Sequence, residues 1–226
     1  MGRSMDHVAS FVTGMSTSPE IFDNNNYKFS DNLINYYKYM KKNDVFASYA
    51  VVPPQAARNP EFYEKRNLPI PTLTVVDETD KGVIISGMKM LATSAVFANE
   101  IWIGNLIPLA PDQVKQSITC SIPCNSKGLK LWMRQPLSNH YDNQFDAPLS
   151  WNQDETDVLV MCENVLVPWE RVFVMNDAIQ AREIYFKTPA HCYGNHQSNV
   201  RYWSKMELIV GLCSKVAKAT GADEVP

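Results

Sequence analysis

Long apolar runs and clusters of one charge are missing from this sequence. No segment approaches the roughly 20 consecutive apolar residues that a membrane-spanning helix needs. The first residues, MGRSMDHV, lack the apolar stretch of a secretory signal. Basic residues form no run longer than Lys41-Lys42, and the net charge is −3. These features predict a cytoplasmic protein that binds neither membranes nor nucleic acids.

Common catalytic motifs are also absent. The sequence contains no GxxxxGK[ST] phosphate loop, no GxGxxG after a strand, no GxSxG nucleophile turn and no HExxH metal motif. The residues alone leave isolated candidates for a site, each of which also has an ordinary structural explanation: Arg3, His7, Tyr49, His191 and His196. No motif of this kind therefore identifies a reaction.

Cysteine is sparse and scattered, with five residues at positions 120, 124, 162, 192 and 213. An odd number without an export signal indicates reduced thiols rather than a disulfide framework. Cys120 and Cys124 form the one close pair in the sequence. Their spacing is compatible with zinc, but no second pair of ligands follows at a suitable distance. Two strand cysteines are the favoured interpretation, and no metal is predicted.

The hydrophobic period changes at about residues 46 and 175, which divides the chain into three predicted regions. Residues 1–46 have a helical pattern, with Ser30 as a predicted N-cap before apolar residues at spacings of three and four. Those residues are Leu33, Tyr36, Tyr37 and Met40. Residues 47–174 contain short β runs separated by Pro, Asn, Asp and Gly. Residues 175–226 return to a helical period.

Eight strands are predicted in the middle region, at residues 47–52, 72–76, 82–90, 100–106, 117–122, 129–133, 157–162 and 171–174. Strands and helices do not alternate, which argues against a parallel α/β sheet. The pattern favours an α+β fold in which an antiparallel β-barrel or a two-sheet packing is flanked by helices.

The last region predicts a short helix at 176–186 and a long amphipathic helix at 199–218. Trp203, Met206 and Val210 would share its apolar side. Gly211 inside this helix costs about 1 kcal/mol relative to alanine, which suggests a close helix contact. Because no other predicted helix or strand is left to cover this apolar side, the sequence is interpreted as a piece of a larger protein.

Several separated segments resemble the 4-hydroxyphenylacetate 3-hydroxylase family, the oxygenase components of two-component flavin-dependent monooxygenases. The most specific are NVLVPWERVF (164–173) and GMKMLATSAVFANEI (87–101). The other similar segments are Gly2-Arg-Ser4 with Asp6, VPPQ (52–55), PLS (148–150), HQS (196–198) and KMELIVG (205–211). The resemblance covers essentially the whole chain.

The resemblance implies an acyl-CoA dehydrogenase-like architecture. In that architecture, residues 1–46 are the end of an N-terminal helical domain, 47–174 the middle β domain and 175–226 the start of a C-terminal helical bundle. Family members are longer and form homotetramers through that bundle. A tetramer is therefore the expected assembly of the full-length protein.

The same resemblance implies FAD, delivered in reduced form by a separate flavin reductase, as the cofactor that reacts with O₂. The threonine matching Thr93 hydrogen-bonds the flavin ring in the family; capping of a turn remains the alternative for this side chain. Two further segments match residues that touch FAD. They are Tyr49, Ala50 and Val51, followed by Gln55, Ala56, Ala57 and Arg58, and Arg58 is suited to the pyrophosphate.

For the catalytic residues, the resemblance implies that Arg3 stabilises a phenolate and that His7 and Tyr49 hydrogen-bond the phenol or the oxygen species. His196 (or His191) is the expected general base. The chain departs from the family because His7 stands where tyrosine is usual and Tyr49 where histidine is usual. Leu106 and Ile107, at a position of substrate contact, are apolar, which favours a changed phenolic substrate.

Two alternatives remain from the sequence. The chain is either a non-catalytic β-domain remnant that depends on a partner chain, or, less favoured, an enzyme similar to 4-hydroxybutyryl-CoA dehydratase. The dehydratase carries an iron–sulfur cluster and needs a Cys-x-x-x-Cys pair near the position of Arg3 and His7, where this sequence has no cysteine.

Overall fold

The computed structural model describes residues 5–224, so the predicted site residue Arg3 lies outside the described residues. Within this range the chain forms six α-helices: α1 (His7–Met15), α2 (Ser30–Asn43), α3 (Pro60–Glu64), α4 (Pro148–Gln153), α5 (Gln180–Phe186) and α6 (Ala190–Thr220). Helices α1 and α2 precede the first strand, and α5 and α6 follow the last.

Eight strands form at or near the predicted positions. They are β1 (Ala47–Ala50), β2 (Thr74–Thr79), β3 (Gly82–Lys89), β4 (Glu100–Ile103), β5 (Thr119–Pro123), β6 (Leu129–Met133), β7 (Val158–Pro168) and β8 (Val172–Val174). The largest difference is in β7, which runs past its predicted end at position 162 to Pro168 because its second half pairs with β3.

The strands form two four-stranded sheets, ordered β1-β4-β5-β8 and β2-β3-β7-β6. Every pair is antiparallel except β1 with β4, which is parallel. One buried apolar cluster includes residues of both sheets and of α1, α2 and α5. The α+β class with antiparallel sheets is therefore confirmed. A single closed barrel is not formed by the described strands, and the two-sheet alternative fits.

Gly87 lies where β3 stops pairing with β2, while its pairing with β7 continues to Lys89. Its φ of +114° is unfavourable for other residues, and a Cβ at this position would lie 2.0 Å from the carbonyl oxygen of Thr72. The register between β3 and β7 shifts at this point. Beyond it, the N–H of Met90 donates to the oxygen of Val52 at 2.8 Å. The ends of β3 and β1 are thereby joined.

Helix α2 begins one residue earlier than an N-cap at Ser30 would place it. Ser30 is the first helical residue, and the carboxylate of Asp23 accepts hydrogen bonds from its N–H at 3.0 Å and from its hydroxyl at 3.2 Å. The predicted N-cap role of Ser30 is therefore wrong, because an acidic side chain from the preceding turn satisfies the start of the helix. Its apolar residues Leu33, Tyr36 and Met40 are buried as the period predicts.

The NVLVPWERVF segment has a structural role. Its arginine, Arg171, places Nη1 2.9 Å from Oε2 of Glu100, which is 2% exposed, and its guanidinium lies over the rings of Tyr36 and Tyr39. Ser121 donates to the same Glu100 oxygen at 2.7 Å. This buried ion pair holds the turn before β8 against β4, β5 and α2.

Buried polar side chains also connect the two sheets. Lys89 on β3 is 2% exposed and donates to Oδ1 of Asn105, just after β4, at 2.8 Å. Burial lowers the pKa of Lys89 to about 8. Burial also raises the pKa of the Cys162 thiol to about 12 and that of the neighbouring Cys120 thiol further. These two thiols therefore have little nucleophilic character at neutral pH.

Helix α6 differs from its prediction in both its start and its surface. It begins at Ala190, so His191 and His196 lie within it rather than before it. Its first half packs on α1, where Gly194 contacts the ring of Phe11. In its second half Trp203 is 70% exposed and Leu208 56% exposed. These side chains point roughly 140° apart at 3.6 residues per turn, so this half exposes apolar residues on more than one side.

The interpretation of Gly211 as a close helix contact is wrong for the described chain, since nothing lies within 4 Å of a Cβ placed there. Within residues 5–224, no helix is both long and apolar enough to cross a bilayer.

Candidate functional site

Thr93 lies in an irregular segment that follows β3 and crosses from one sheet to the other. Its neighbours Leu91 and Ser94 both have φ of 61°, a left-handed conformation that is uncommon for residues other than glycine. The half-buried Thr93 side chain donates its hydroxyl hydrogen to Oδ1 of Asp157 at 2.6 Å. Because the carboxylate takes this hydrogen, the Thr93 oxygen can act towards a ligand as an acceptor.

The first strand, β1, lies beside this segment. The hydroxyl of Ser48 donates to the carbonyl oxygen of Thr93 at 2.7 Å, and the bridge between Val52 and Met90 fixes the end of the strand. Two separate parts of the predicted cofactor site, β1 and Thr93, are therefore neighbours. Ala50 and Val51 are buried, while Tyr49 is half-buried.

Tyr49 carries a buried hydroxyl that makes no hydrogen bond within residues 5–224. Burial raises the pKa of Tyr49 well above its usual range, and the nearby Tyr185 hydroxyl raises it further. The Tyr185 hydroxyl accepts from Nε1 of Trp102 at 3.2 Å, but its geometry to Tyr49 is not that of a hydrogen bond. Tyr49 is therefore a protonated donor that residues 5–224 leave without an acceptor, which is unusual for a buried polar group.

The segment after β1 is open to a ligand. Gln55–Arg58 is a single 3-10 turn in which Gln55, Ala56 and Arg58 are exposed and Ala57 is half-buried. Arg58 forms no ion pair and no hydrogen bond with the rest of residues 5–224. A free guanidinium on an exposed turn is suited to a phosphate group.

His7 contacts the same region from α1. Its ring lies 5.5 Å from the Tyr49 ring and 4.5 Å from the Phe11 ring, centroid to centroid, edge-on in both cases. Nδ1 of His7 lies 3.2 Å from Oε1 of Gln197 on α6. The structure therefore brings His7 and Tyr49 together, as the family resemblance implies, and adds Gln197, whose role the sequence did not reveal. The HQS segment was the one signal for it.

The other two predicted catalytic histidines, His196 and His191, contact parts of the chain other than Tyr49. His196 is exposed and lines a groove of about 490 Å³ between α1 and α6. Nδ1 of His191 lies 3.1 Å from the backbone oxygen of Tyr185. The general-base role of His196 or His191 stays a prediction, but His7 has the closer contact with Tyr49.

A second cavity of about 490 Å³ lies between α5 and the loop after β4, lined by Pro108, Leu109 and residues of α5. Leu106 and Ile107, the predicted apolar substrate segment, are exposed at the start of this loop.

Cys120 lies on β5 and Cys124 directly after it, and both are free thiols. Across residues 5–224, no three His, Cys, Asp or Glu residues are grouped closely enough to hold a metal ion.

Tyr49→Phe is expected to change the free energy of unfolding by less than about 1 kcal/mol, because it removes a hydroxyl that the fold does not pair. The matched control is Tyr36→Phe, which removes a buried hydroxyl 2.8 Å from Oγ of Ser121 and is expected to cost about 1–3 kcal/mol. Urea denaturation of both variants measures the difference. An equal loss in both would show that the Tyr49 hydroxyl supports the fold rather than a ligand.

Residues 1–174 match the family model described as 4-hydroxyphenylacetate 3-hydroxylase N terminal. The 4-hydroxyphenylacetate 3-monooxygenase oxygenase component of Thermus thermophilus is 32% identical over 99% of this chain. A crystal structure of such an oxygenase component, complexed with FAD and 4-hydroxyphenylacetate, superposes with a TM-score of 0.84 over 96% of the chain at 31% identity. The chain spans 45% of the length of the Thermus relative and 44% of the crystallised chain.

More distant structures share the fold alone. An archaeal 4-hydroxybutyryl-CoA dehydratase superposes with a TM-score of 0.72 at 18% identity, and a steroid acyl-CoA dehydrogenase variant with 0.53 at 17%. This likeness agrees with the predicted acyl-CoA dehydrogenase-like architecture. The match to the family model over residues 1–174, together with the similarity to the Thermus relative, shows that the chain belongs to the 4-hydroxyphenylacetate 3-hydroxylase family.

Proposed function

We propose that this chain forms the flavin-facing wall of the oxygenase component of a monooxygenase that hydroxylates a phenolic aromatic compound such as 4-hydroxyphenylacetate. A separate reductase supplies reduced FAD, and O₂ is the second substrate. The observation that carries the proposal is the unpaired Tyr49 hydroxyl, placed beside His7 on the strand that adjoins Thr93.

The residues present fit FAD. Thr93 offers an acceptor, which suits an N–H of the flavin ring, because Asp157 takes its hydroxyl hydrogen. The exposed Gln55–Arg58 turn offers a free guanidinium for the pyrophosphate. Ala50 and Val51 are buried in the chain itself, so they hold the end of β1 in place beside this turn. When bound, FAD supplies the activation of O₂ that no side chain provides. The chain's own residues bind the cofactor, orient the phenol and exclude water.

A phenolic substrate fits the donors around Tyr49. At neutral pH Tyr49 is protonated and donates to an oxygen of a ligand, while His7 is placed to exchange a proton with a phenol. Arg3, four residues before His7 in the sequence, would pair with the phenolate, as the family resemblance implies. In the full-length protein we expect a homotetramer, as the family resemblance implies.

A second candidate is favoured by α6. Its second half exposes large apolar side chains on more than one side, including Trp203, Leu208, Val210 and Leu212. Such a surface is typical of a helix inside a bundle. The given chain would then be an inactive β domain that requires a further helical polypeptide, in the same chain or in a partner, before it catalyses the reaction.

Arg3→Ala tests the proposed reaction. The chain is joined to the complementary C-terminal half of the Thermus relative and supplied with reduced FAD and 4-hydroxyphenylacetate. Loss of a charge-assisted hydrogen bond to a desolvated phenolate costs about 1.5–3 kcal/mol, so hydroxylation is expected to fall by roughly one to two decades. Hydrogen peroxide should be released in place of product, and FAD binding should be unchanged.

The matched control is Arg66→Ala, since Arg66 contacts Phe62 within its own exposed segment. It should leave product and peroxide at wild-type levels. If Arg3→Ala also leaves both unchanged, Arg3 has no part in the reaction. If the joined wild-type protein binds FAD yet forms no hydroxylated phenol, the proposed activity is wrong.

A further inference from the structure

Lys89 and Asn105 form a buried hydrogen bond between the ends of two strands. Nζ of Lys89, the last residue of β3, donates to Oδ1 of Asn105, two residues after β4, at 2.8 Å. The two residues are 2% and 3% exposed. Lys89 leads directly into residues 90–94, here called the flavin segment, and Asn105 leads into Leu106 and Ile107, the substrate segment. The bond therefore lies at the point where these two segments begin.

Backbone hydrogen bonds place the same two strand ends on either side of β1. The N–H of Met90 donates to the oxygen of Val52 at 2.8 Å, and the N–H of Gly104 donates to the oxygen of Ala50 at 3.2 Å. The end of β1 is thus joined to both neighbours, and the buried side-chain bond joins those neighbours to each other. The flavin segment and the substrate segment are connected twice, once through β1 and once directly.

Asn105 also holds the far end of the loop that contains the substrate segment. Its Nδ2 donates to the backbone oxygens of Gln116 and Ile118, each at 3.0 Å. Because an ammonium group only donates and a carbonyl oxygen only accepts, all of these contacts require the same orientation of the amide, with Oδ1 towards Lys89. One buried side chain therefore fixes where residues 106–116 begin and where they end.

The stability of the fold does not explain a lysine at this position. Burial lowers the pKa of Lys89 to about 8, because the charged form is less favourable inside the protein than in water. Its hydrogen bond is to a neutral amide, and within residues 5–224 no carboxylate forms an ion pair with it. An apolar side chain of similar volume would avoid the cost of burying the charge. The cost is explained if the bond is needed to fix the geometry of the two strand ends.

We propose that Lys89 and Asn105 are positioning residues that set the spacing between the flavin segment and the substrate segment, and thereby hold the phenol at a fixed place relative to bound FAD. The inference rests on the proposed function, because it takes these two segments to face the cofactor and the phenol. Both side chains are buried, so they act through the backbone of the segments they precede. A displacement of about 1 Å is enough to slow a reaction about a hundredfold.

The link is tested first without any ligand, by ¹⁵N relaxation of the backbone amides of the 226-residue chain. In the wild-type protein the amides of Leu106 and Ile107 should have order parameters of about 0.85, as in a strand. Lys89→Met removes the donor but keeps a long side chain, and these order parameters should fall below about 0.6. Lys89→Ile removes the same donor with a residue that favours strands, and it should have the same effect.

A further variant separates the two contacts of Asn105. Asn105→Asp keeps an oxygen for Lys89 but removes the donor to the two backbone oxygens at the end of the loop. Mobility should therefore increase at Gln116 while Leu106 stays ordered. The control Lys115→Met removes an exposed lysine from the same loop and should leave all order parameters unchanged. The amide spectrum of the remaining chain reports whether each variant is folded.

The consequence for the reaction is measured in the protein joined to the C-terminal half of the Thermus relative. Lys89→Met should lower the rate of hydroxylation by up to about a hundredfold, with hydrogen peroxide released in place of product. The affinity for FAD should be unchanged, because the flavin segment keeps its backbone bond to β1. A merely structural role would instead lower FAD affinity and hydroxylation together.

Unchanged order parameters at Leu106 and Ile107 in folded Lys89→Met and Lys89→Ile proteins would overturn the proposal. Parallel losses of FAD affinity and hydroxylation in the joined protein would also contradict it. The proposed function fails separately, if the joined wild-type protein binds FAD yet forms no product. The relaxation measurement needs neither FAD nor a phenol, so it still decides whether the bond holds the substrate segment.

Discussion

Arg171→Met is expected to lower the free energy of unfolding by about 3–5 kcal/mol, the loss typical of removing one partner from a buried ion pair. The reason is the charge left behind. Glu100 is 2% exposed, and Arg171 is its cationic partner at 2.9 Å. Methionine fills a similar volume but leaves the carboxylate buried and uncompensated, apart from the hydrogen bond from Ser121. Urea denaturation monitored by tryptophan fluorescence measures the change.

A matched control removes an exposed pair from the same fold. Lys130→Met breaks the contact between Lys130 and Glu163 at 2.7 Å, where both side chains are about half exposed, and should cost no more than about 1 kcal/mol. Adding Glu100→Gln to Arg171→Met should recover part of the loss, because the buried charge is then gone. Equal effects of Arg171→Met and Lys130→Met would show that the NVLVPWERVF segment does not depend on its buried ion pair.

The strands were predictable because their period is local, but their arrangement was not. The alternation of apolar and polar residues, together with the turn residues, predicted where each of the eight strands begins to within a few positions. The parallel pairing of β1 with β4 joins residues far apart in the chain, such as Ala47 and Glu100. The extension of β7 to Pro168 depends on pairing with β3, where Gly82 is its partner. Local pattern contains no information about either pairing.

The beginning of α6 was missed for a physical reason. The residues around Gly194 have low helix propensity, which predicts a loop before residue 199. In the fold, Gly194 allows α6 to lie close against Phe11 of α1, and this packing outweighs the propensity. The same principle explains Ser30, since the start of α2 is satisfied by Asp23 from a preceding turn rather than by the nearest hydroxyl.

The candidate site came from the family resemblance rather than from the residues themselves. Tyr49 on a strand has the pattern of a core residue, and only the structure shows that its hydroxyl is buried with no acceptor among the residues described. The partners that define the chemistry of the other site residues lie far away in sequence. Thr93 bonds to Asp157, the residue before β7, and His7 on α1 bonds to Gln197 on α6.

Binding of FAD to the 226-residue chain alone is expected to be weak, with a Kd of about 0.1–1 mM, against the micromolar or tighter binding expected of a complete site. The described residues supply one wall, formed by β1, the Gln55–Arg58 turn and Thr93, and the exposed half of α6 indicates that further helices are needed. An incomplete site loses contacts and must also order its groups when the ligand binds. Submicromolar binding would show that this wall is sufficient.

The most direct test of the central claim is to titrate the ¹⁵N-labelled chain with FAD up to millimolar concentration and to follow the backbone amides. Shifts are expected at the amides of Ala50, Val51, Ala57 and Thr93, and the amides of α2 should be unchanged. Arg58→Ala should weaken these shifts, whereas the control Lys65→Ala, which removes an exposed contact with Glu61, should not. Shifts confined to other parts of the chain, or none at millimolar FAD, would contradict the claim that this face binds the flavin.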